Sequence, residues 1–170
     1  MIGPDWLRAM ARYNRWQNES LCAAAAGLPA AALTVDRGAF FGSILATFNH
    51  LLWADAIWLS RLAGTPGPDM RPKEALTRHG DLAALREARN SLDAAILAWA
   101  DGDHGERLTG ELVWQGAIAV GERRAPYWLA ATHMFNHQTH HRGQIHAMLT
   151  AAGARPDDTD LILMQMSPPA

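Results

Sequence analysis

The sequence predicts an all-α protein built as a four-helix bundle. Apolar residues recur at helical spacing in four long segments, and glycine or proline follows the end of each. The stretch between the third and fourth segments has no helical period. A chain of 170 residues is long enough to bury one sizeable core, so we expect a single domain over residues 1–170.

The first two helices are predicted over residues 5–26 and about 39–63. Asp5 is a suitable N-cap for the first helix, and Gly27 with Pro29 beyond it ends the pattern. The second helix carries a wide apolar band, and Gly64 follows its last apolar turn. After it, GTPGPDMRP holds three prolines and two glycines, which predicts a loop.

The third helix is predicted over residues 81–100, and the fourth over residues 126–152. Asp81 is the expected cap of the third helix, and Pro126 suits the first turn of the fourth. Between them the chain is rich in glycine, so we expect an irregular insertion or a short hairpin around residues 112–120.

The charge pattern argues against nucleic acid and anionic membranes as partners. Fifteen Lys plus Arg stand against seventeen Asp plus Glu, giving a formal net charge of -2 without a block of like charges. No apolar run reaches the ~20 residues that span a bilayer.

The cysteine content and the N-terminal residues predict a cytoplasmic protein. Cys22 is the only cysteine, which rules out an intramolecular disulfide and fits a reducing compartment. Charged residues interrupt the first turns of the chain, where a signal peptide would need an apolar stretch.

Five of the eight histidines lie in one segment, HMFNHQTHHRGQIHAM, within the fourth predicted helix. On a helix, His137 and His141 lie about 40° apart and about 6 Å along the axis, close enough to bind one ion. His133 is too far from His141 to share that ion, and His140 is a weaker alternative. His146 is rotated about 180° from His137 and must face elsewhere.

A third ligand would have to come from another helix, because a catalytic metal site uses three protein ligands and one open position. His79 and His104 lie beside glycine and charged residues, which predicts solvated loops. His50 lies in the apolar band of the second helix, within a Phe-Asn-His tripeptide that recurs before His137. The alternative is that all these histidines are core or surface residues satisfied by their neighbours.

Two common helical metal sites do not match this pattern. The H-x-x-x-H spacing is that of a zincin helix, but Gln138 stands where that motif requires a glutamate base. A di-iron bundle requires Glu-x-x-His, and no histidine here has a glutamate three residues before it. The sequence thus disfavours both a metalloprotease and a ferritin-like site.

The segments FNHLLWADAIWLSRLAG and HMFNHQTHHRGQIHAML, together with YNRWQN in the first helix, resemble the DinB/YfiT-like superfamily. The resemblance covers most of the chain. It implies a four-helix bundle, a homodimer, and a divalent metal held by one histidine of the second helix and an H-x-x-x-H pair of the last. On this sequence those ligands correspond to His50, His137 and His141.

Several polar side chains lie near the proposed ligands. Gln144 shares the face of His137, where it would contact a metal-bound water or a substrate, or else serve as a buried structural amide. Asn49 and Asn136 each adjoin a proposed ligand and would either orient its ring or serve packing and helix contacts, which we favour.

For the remaining candidates the sequence favours structural roles. We expect Asp55 and Arg142 to form an ordinary ion pair or to be surface charges, and Trp53 and Trp58 to belong to the core. Arg123 and Arg124 precede the last helix, where they would meet a carboxylate substrate, but solvent exposure is the simpler expectation.

Three functions follow from this pattern. Three neutral imidazoles leave a bound ion, Zn²⁺ first and Ni²⁺ second, doubly charged and Lewis acidic. The resemblance implies transfer of a low-molecular-weight thiol, such as bacillithiol or mycothiol, to a small-molecule substrate. The alternatives are a stress-response metal-binding protein without turnover and a metal-dependent hydrolase.

Overall fold

Four long helices form the bundle in a computed structural model that describes residues 2–116 and 121–166. They are α1 (Pro4–Ala26), α3 (Ile44–Ala63), α5 (Leu82–Asp101) and α6 (Tyr127–Ala151). Helices α1 and α3 each pack against both α5 and α6. The predicted all-α bundle is confirmed.

The second long helix begins later than predicted. It starts at Ile44, not near residue 39, because Ser43 occupies the N-cap and its Oγ accepts a hydrogen bond from Ala46 N at 3.2 Å. Residues 39–42 form a turn instead. Gly42 there has a φ of 77°, a conformation that glycine adopts without a steric penalty.

The other long helices match the prediction to within one or two residues, but Gly3 and not Asp5 is the N-cap of α1, and Asp5 lies in its first turn. Asp81 caps α5 as expected, since its carboxylate accepts a hydrogen bond from Ala84 N at 2.9 Å. Pro126 is the residue before α6 and not part of its first turn. Sequence patterns did not predict the short helices α2 (Ala30–Thr34) and α4 (Pro72–Ala75) or the 3₁₀ turns Gly105–Thr109 and Leu161–Met166.

A two-stranded antiparallel hairpin precedes α6. Strand β1 (Glu111–Gln115) pairs with β2 (Glu122–Pro126), which places Trp114 opposite Arg123. The predicted hairpin is present, but its second strand lies further along the chain. Residues 117–120, where the prediction ended, lie outside the described part of the chain.

The buried interior consists of two apolar clusters separated by a polar layer. One cluster includes Leu7, Leu59 and Phe135, and the other includes Leu21, Leu51 and Ile145. Each fully buried side chain of this size contributes about 1.5–3 kcal/mol relative to exposure. Between the clusters every long helix contributes buried polar residues: Asn14, Asn18, Asp55, Arg89, Asp93 and Arg142. None of the described helices combines the length and apolar character needed to cross a membrane.

Candidate metal centre

Three histidines from two helices converge beside the polar layer. His50 of α3 and His137 and His141 of α6 each offer one ring nitrogen, and these nitrogens lie within 4.8 Å of one another. Zinc–nitrogen bonds of about 2.1 Å in tetrahedral geometry require separations of about 3.4 Å. The three side chains therefore fit one divalent ion after small side-chain adjustments.

The hydrogen bonds of His141 direct its other nitrogen toward this point. Its Nδ1 lies 2.8 Å from Gln144 Oε1. Because an amide oxygen only accepts, Nδ1 donates the proton and Nε2 keeps its lone pair. That Nε2 lies 3.1 Å from His137 Nε2. With Nε2 of His141 as the acceptor, this contact is a hydrogen bond when His137 carries its proton on Nε2, and a cation could take the place of that proton.

The histidines are held in the neutral form that binds metals. Burial lowers the pKa of His50 to about 4, with a further contribution from His141. Burial also lowers the pKa of His137 to about 3, and the neighbouring histidines add to this effect. The pKa of His141 is lowered as well, mainly by burial, although the bond to Gln144 opposes the shift. Protons therefore compete weakly for these nitrogens near neutral pH.

Phe41 covers one side of the three histidines. Its ring stacks on His50 with 3.9 Å between centroids, and it lies 5.5 Å from the ring of His141. A cavity of about 400 Å³, which His50 and His137 both line, lies beside the same histidines. An ion at this position would therefore exchange ligands through the cavity.

The remaining histidines of α6 lie outside this group. His133 packs its ring edge against Trp58 at 4.6 Å, and His140 is exposed. His146 lines a different cavity together with Tyr13 and Gln17 of α1. These positions agree with the helical phases expected from the sequence.

The loop histidines differ from each other. His79 is half-buried, and its backbone exchanges two hydrogen bonds with the amide of Asn49. The expectation that His104 is solvated is wrong, because it is 3% exposed and its Nε2 lies 2.8 Å from Trp99 O. Asn49 thus links α3 to a loop, whereas Asn136 is exposed.

Asp55 and Arg142 are buried, which corrects the expectation that they could be surface charges. Asp55 pairs with Arg89 of α5 at 2.7 Å, and Arg89 also pairs with Asp93 at 2.8 Å. Burial raises the pKa of Asp55 to about 6, against the opposing effect of Arg89. Arg142 donates a hydrogen bond to Asn14 Oδ1, and burial lowers its pKa to about 10.

The cavity beside the histidines contains residues that sequence reasoning placed elsewhere. Trp53 and Trp58 line it and are only partly buried, so they are not simply core residues. Arg123 lies at its rim and is exposed, as expected. Arg124 on the same strand is also exposed, but it pairs with two glutamates.

Sequence reasoning missed three residues that cover the histidines or line the cavity: Phe41, Arg61 and Trp114. Arg61 carried a usable signal, since it follows His50 by eleven residues and is rotated by only about 20° on an ideal helix. Phe41 and Trp114 had no such signal, because they reach the site through a turn and a hairpin.

Comparison with known proteins identifies the family. None of the curated proteins matches the chain. The model of the DinB family matches residues 4–169. Since this match spans nearly the whole sequence, the chain belongs to the DinB family.

Proposed function

We propose that the protein binds one divalent metal ion through His50, His137 and His141 and uses it to transfer a low-molecular-weight thiol to a small electrophile. The observation that carries the proposal is the convergence of three ring nitrogens within 4.8 Å beside an open cavity. Zn²⁺ is the ion best matched by three imidazoles, and Ni²⁺ is the second candidate.

The chain's own residues would position the ion and leave one side open. Gln144 would hold His141 with Nε2 facing His137, and Phe41 would cover the ring of His50. When bound, a divalent ion supplies Lewis acidity that favours ionisation of a coordinated thiol. The thiol sulfur would form a bond to the electrophilic carbon, the leaving group would depart with its electron pair, and the thiol proton would pass to solvent through the cavity.

The protein would take its thiol from outside. Cys22, the only cysteine in the sequence, lies in the apolar cluster with Leu21 and Ala25. Burial raises the pKa of this thiol to about 11, so it is neither accessible nor ionised near neutral pH. A diffusible thiol is therefore the nucleophile consistent with this site.

The same surroundings favour thiol transfer over hydrolysis. A hydrolase that activates water usually places a carboxylate near the metal as general base. Over the described ranges, no aspartate or glutamate lines the cavity, and the three-histidine group contains no acidic residue. A thiol ionised by the metal itself needs no such base.

A cobalt-substituted protein tests the proposal. A thiol that coordinates Co²⁺ adds a charge-transfer band in the near ultraviolet, so bacillithiol, mycothiol or glutathione should produce this band saturably. If all three leave the spectrum unchanged while azide or acetate shifts it, the site is open but is not a thiol site. A metal-binding role without turnover, or a hydrolase, would then take the place of the transferase.

The remaining features of the proposal come from the family resemblance and the composition. We propose a homodimer, which sedimentation would test, a single domain over residues 1–170, and a cytoplasmic location. We also propose that neither nucleic acid nor membrane is a partner.

A further inference from the structure

The cavity beside the histidines is walled by aromatic side chains, and we call it the tryptophan groove: Trp53, Trp58 and Trp114, with Arg61 and Arg123 at its edges. Its volume of about 400 Å³ is within the range of small-molecule sites. Residues from α3, α6, β1 and β2 build it, so its shape depends on where the hairpin packs against the bundle.

Within the described part of the chain, Arg61 lies in this groove without an ion-pair partner. Its guanidinium carbon lies 4.7 Å from the centre of the Trp58 ring and 5.7 Å from that of Trp114. Among residues 2–116 and 121–166, no carboxylate forms an ion pair with Arg61 or with Arg123. By contrast, Arg124 pairs with Glu111 and Glu122.

Burial disfavours the charged form of Arg61, and the two indole rings offset this effect without supplying a negative charge. The residue is half-buried, and burial lowers its pKa. His133, which packs against Trp58 in the same groove, offers no negative charge to balance it. An anionic ligand would supply the missing charge, and a bidentate carboxylate suits a guanidinium fixed in one plane.

We infer that the tryptophan groove binds a small aromatic carboxylate, with its carboxylate on Arg61 and its ring against the indoles that line the groove. Trp58 and Trp114 contact each other edge to face with 5.5 Å between ring centroids, so the ligand ring would pack beside this pair, and the far end of the molecule would reach toward His50 and His137. The inference rests on the proposed function only in taking the three histidines as the reacting end of the cavity. Arg123 at the rim would add a weaker attraction.

The test compares 2-naphthoate with its neutral analogue 2-naphthamide by isothermal titration. Both ligands are titrated into the full-length protein, once metal-free and once loaded with Zn²⁺. We expect 2-naphthoate to bind more tightly than 2-naphthamide in both states. Arg61→Gln should weaken 2-naphthoate roughly 10- to 100-fold, the range for a lost hydrogen bond to a charged group.

Matched variants test whether Arg61 itself, and not positive charge anywhere near the groove, accounts for the binding of 2-naphthoate. Arg124→Gln removes an arginine of strand β2 that is already paired with Glu111 and Glu122, so it should leave the affinity for 2-naphthoate unchanged. Arg61→Lys keeps the charge but loses the planar fork and should bind with intermediate affinity. Arg123→Gln should cause a smaller loss than Arg61→Gln.

Equal binding of the two ligands, or an unchanged affinity in Arg61→Gln, would overturn the inference. So would a preference for 2-naphthoate that appears only with Zn²⁺, since the ion itself would then take the carboxylate. Failure of the proposed function looks different: 2-naphthoate would still bind through Arg61 while no thiol changed the cobalt spectrum.

Discussion

The same two helices contribute to two polar regions that differ in how their charges are balanced. In the polar layer, α3 provides Asp55 and α6 provides Arg142, and two carboxylates and two guanidinium groups balance within the bundle. In the histidine group, the same helices provide only imidazoles, two of whose nitrogens face each other at 3.1 Å.

This difference separates a structural network from a binding site. Buried carboxylate and guanidinium groups that pair with one another hold the helices in position and need no ligand to balance their charges. Converging neutral imidazoles offer lone pairs to a cation once their shared proton is displaced. The polar layer thus holds α3 and α6 in position, and the histidine group is the candidate site for a metal ion.

Removing Arg89 should have the largest effect, because it breaks the balance of the polar layer. Arg89→Met leaves Asp55 and Asp93 buried without their shared partner. We expect the metal-free protein to lose about 3–5 kcal/mol of unfolding free energy in urea titrations. Arg124→Met, which breaks only exposed pairs, should cost about 0–1 kcal/mol. If Arg89→Met and Arg124→Met lost similar amounts of unfolding free energy, the buried ion pairs of the polar layer would contribute no more to stability than the exposed pairs do.

Removing Gln144 should lower the affinity of the three histidines for a metal ion without disturbing the polar layer. Gln144→Ala deletes the acceptor of the His141 Nδ1 proton, and losing such a partner typically costs 10–100-fold in metal affinity. Gln144→Glu keeps an acceptor and should retain binding. Asn136→Ala, an exposed amide beside His137, is the control for calorimetric titration with Zn²⁺. If it weakens binding as much as Gln144→Ala, Gln144 does not orient His141.

Acid should lower the free energy of unfolding of the metal-free protein, and His137 should account for part of this loss. Its pKa is about 3 in the folded protein, against an ordinary value of 6.5, so below pH 6.5 the unfolded chain binds more protons at this residue. The contribution of His137 to the free energy of unfolding is therefore fully present above pH 6.5 and falls as the pH drops toward 3. Asp55 has a raised pKa and contributes with the opposite sign, present at low pH and lost as the pH rises through about 6.

The measurement is the urea midpoint of metal-free wild-type protein and His137→Ala between pH 7 and pH 4.5. Because Asp55 is common to both, its contribution cancels in the difference. The wild-type protein should lose more stability than the variant over this range. Parallel pH profiles would show that His137 is not held neutral by its surroundings.

Most of the fold could be predicted from local signals. Helical periodicity with Asp81, Gly64 and Gly27 at or near the ends located four helices, because caps and breakers act on neighbouring residues. The start of α3 was misplaced because apolar Phe40 and Phe41 extend the helical pattern past Ser43, whose side chain nevertheless caps the helix. Apolar periodicity alone does not distinguish a helix from the turn that precedes it.

Helical geometry predicted the part of the candidate site that lies on α6, whereas His50 was predicted from its apolar surroundings and from the family resemblance. The spacing of His137 and His141, and the phase of Gln144, follow from one helix. The polar layer was missed because Asp55 and Arg89 meet across helices, and sequence separation says nothing about such pairs. The walls of the cavity were missed for the same reason, since Trp114 arrives on a hairpin.

The central claim is that the histidine group holds a divalent metal ion, and isothermal titration with Zn²⁺ and Ni²⁺ tests it most directly. The wild-type protein, stripped with chelator and retitrated, should bind about one ion per subunit. His137→Ala should abolish this binding, whereas His146→Ala should retain it, because His146 lines a separate cavity with Tyr13 and Gln17. Absence of binding in the wild-type protein, or equal losses in the two variants, would contradict the account.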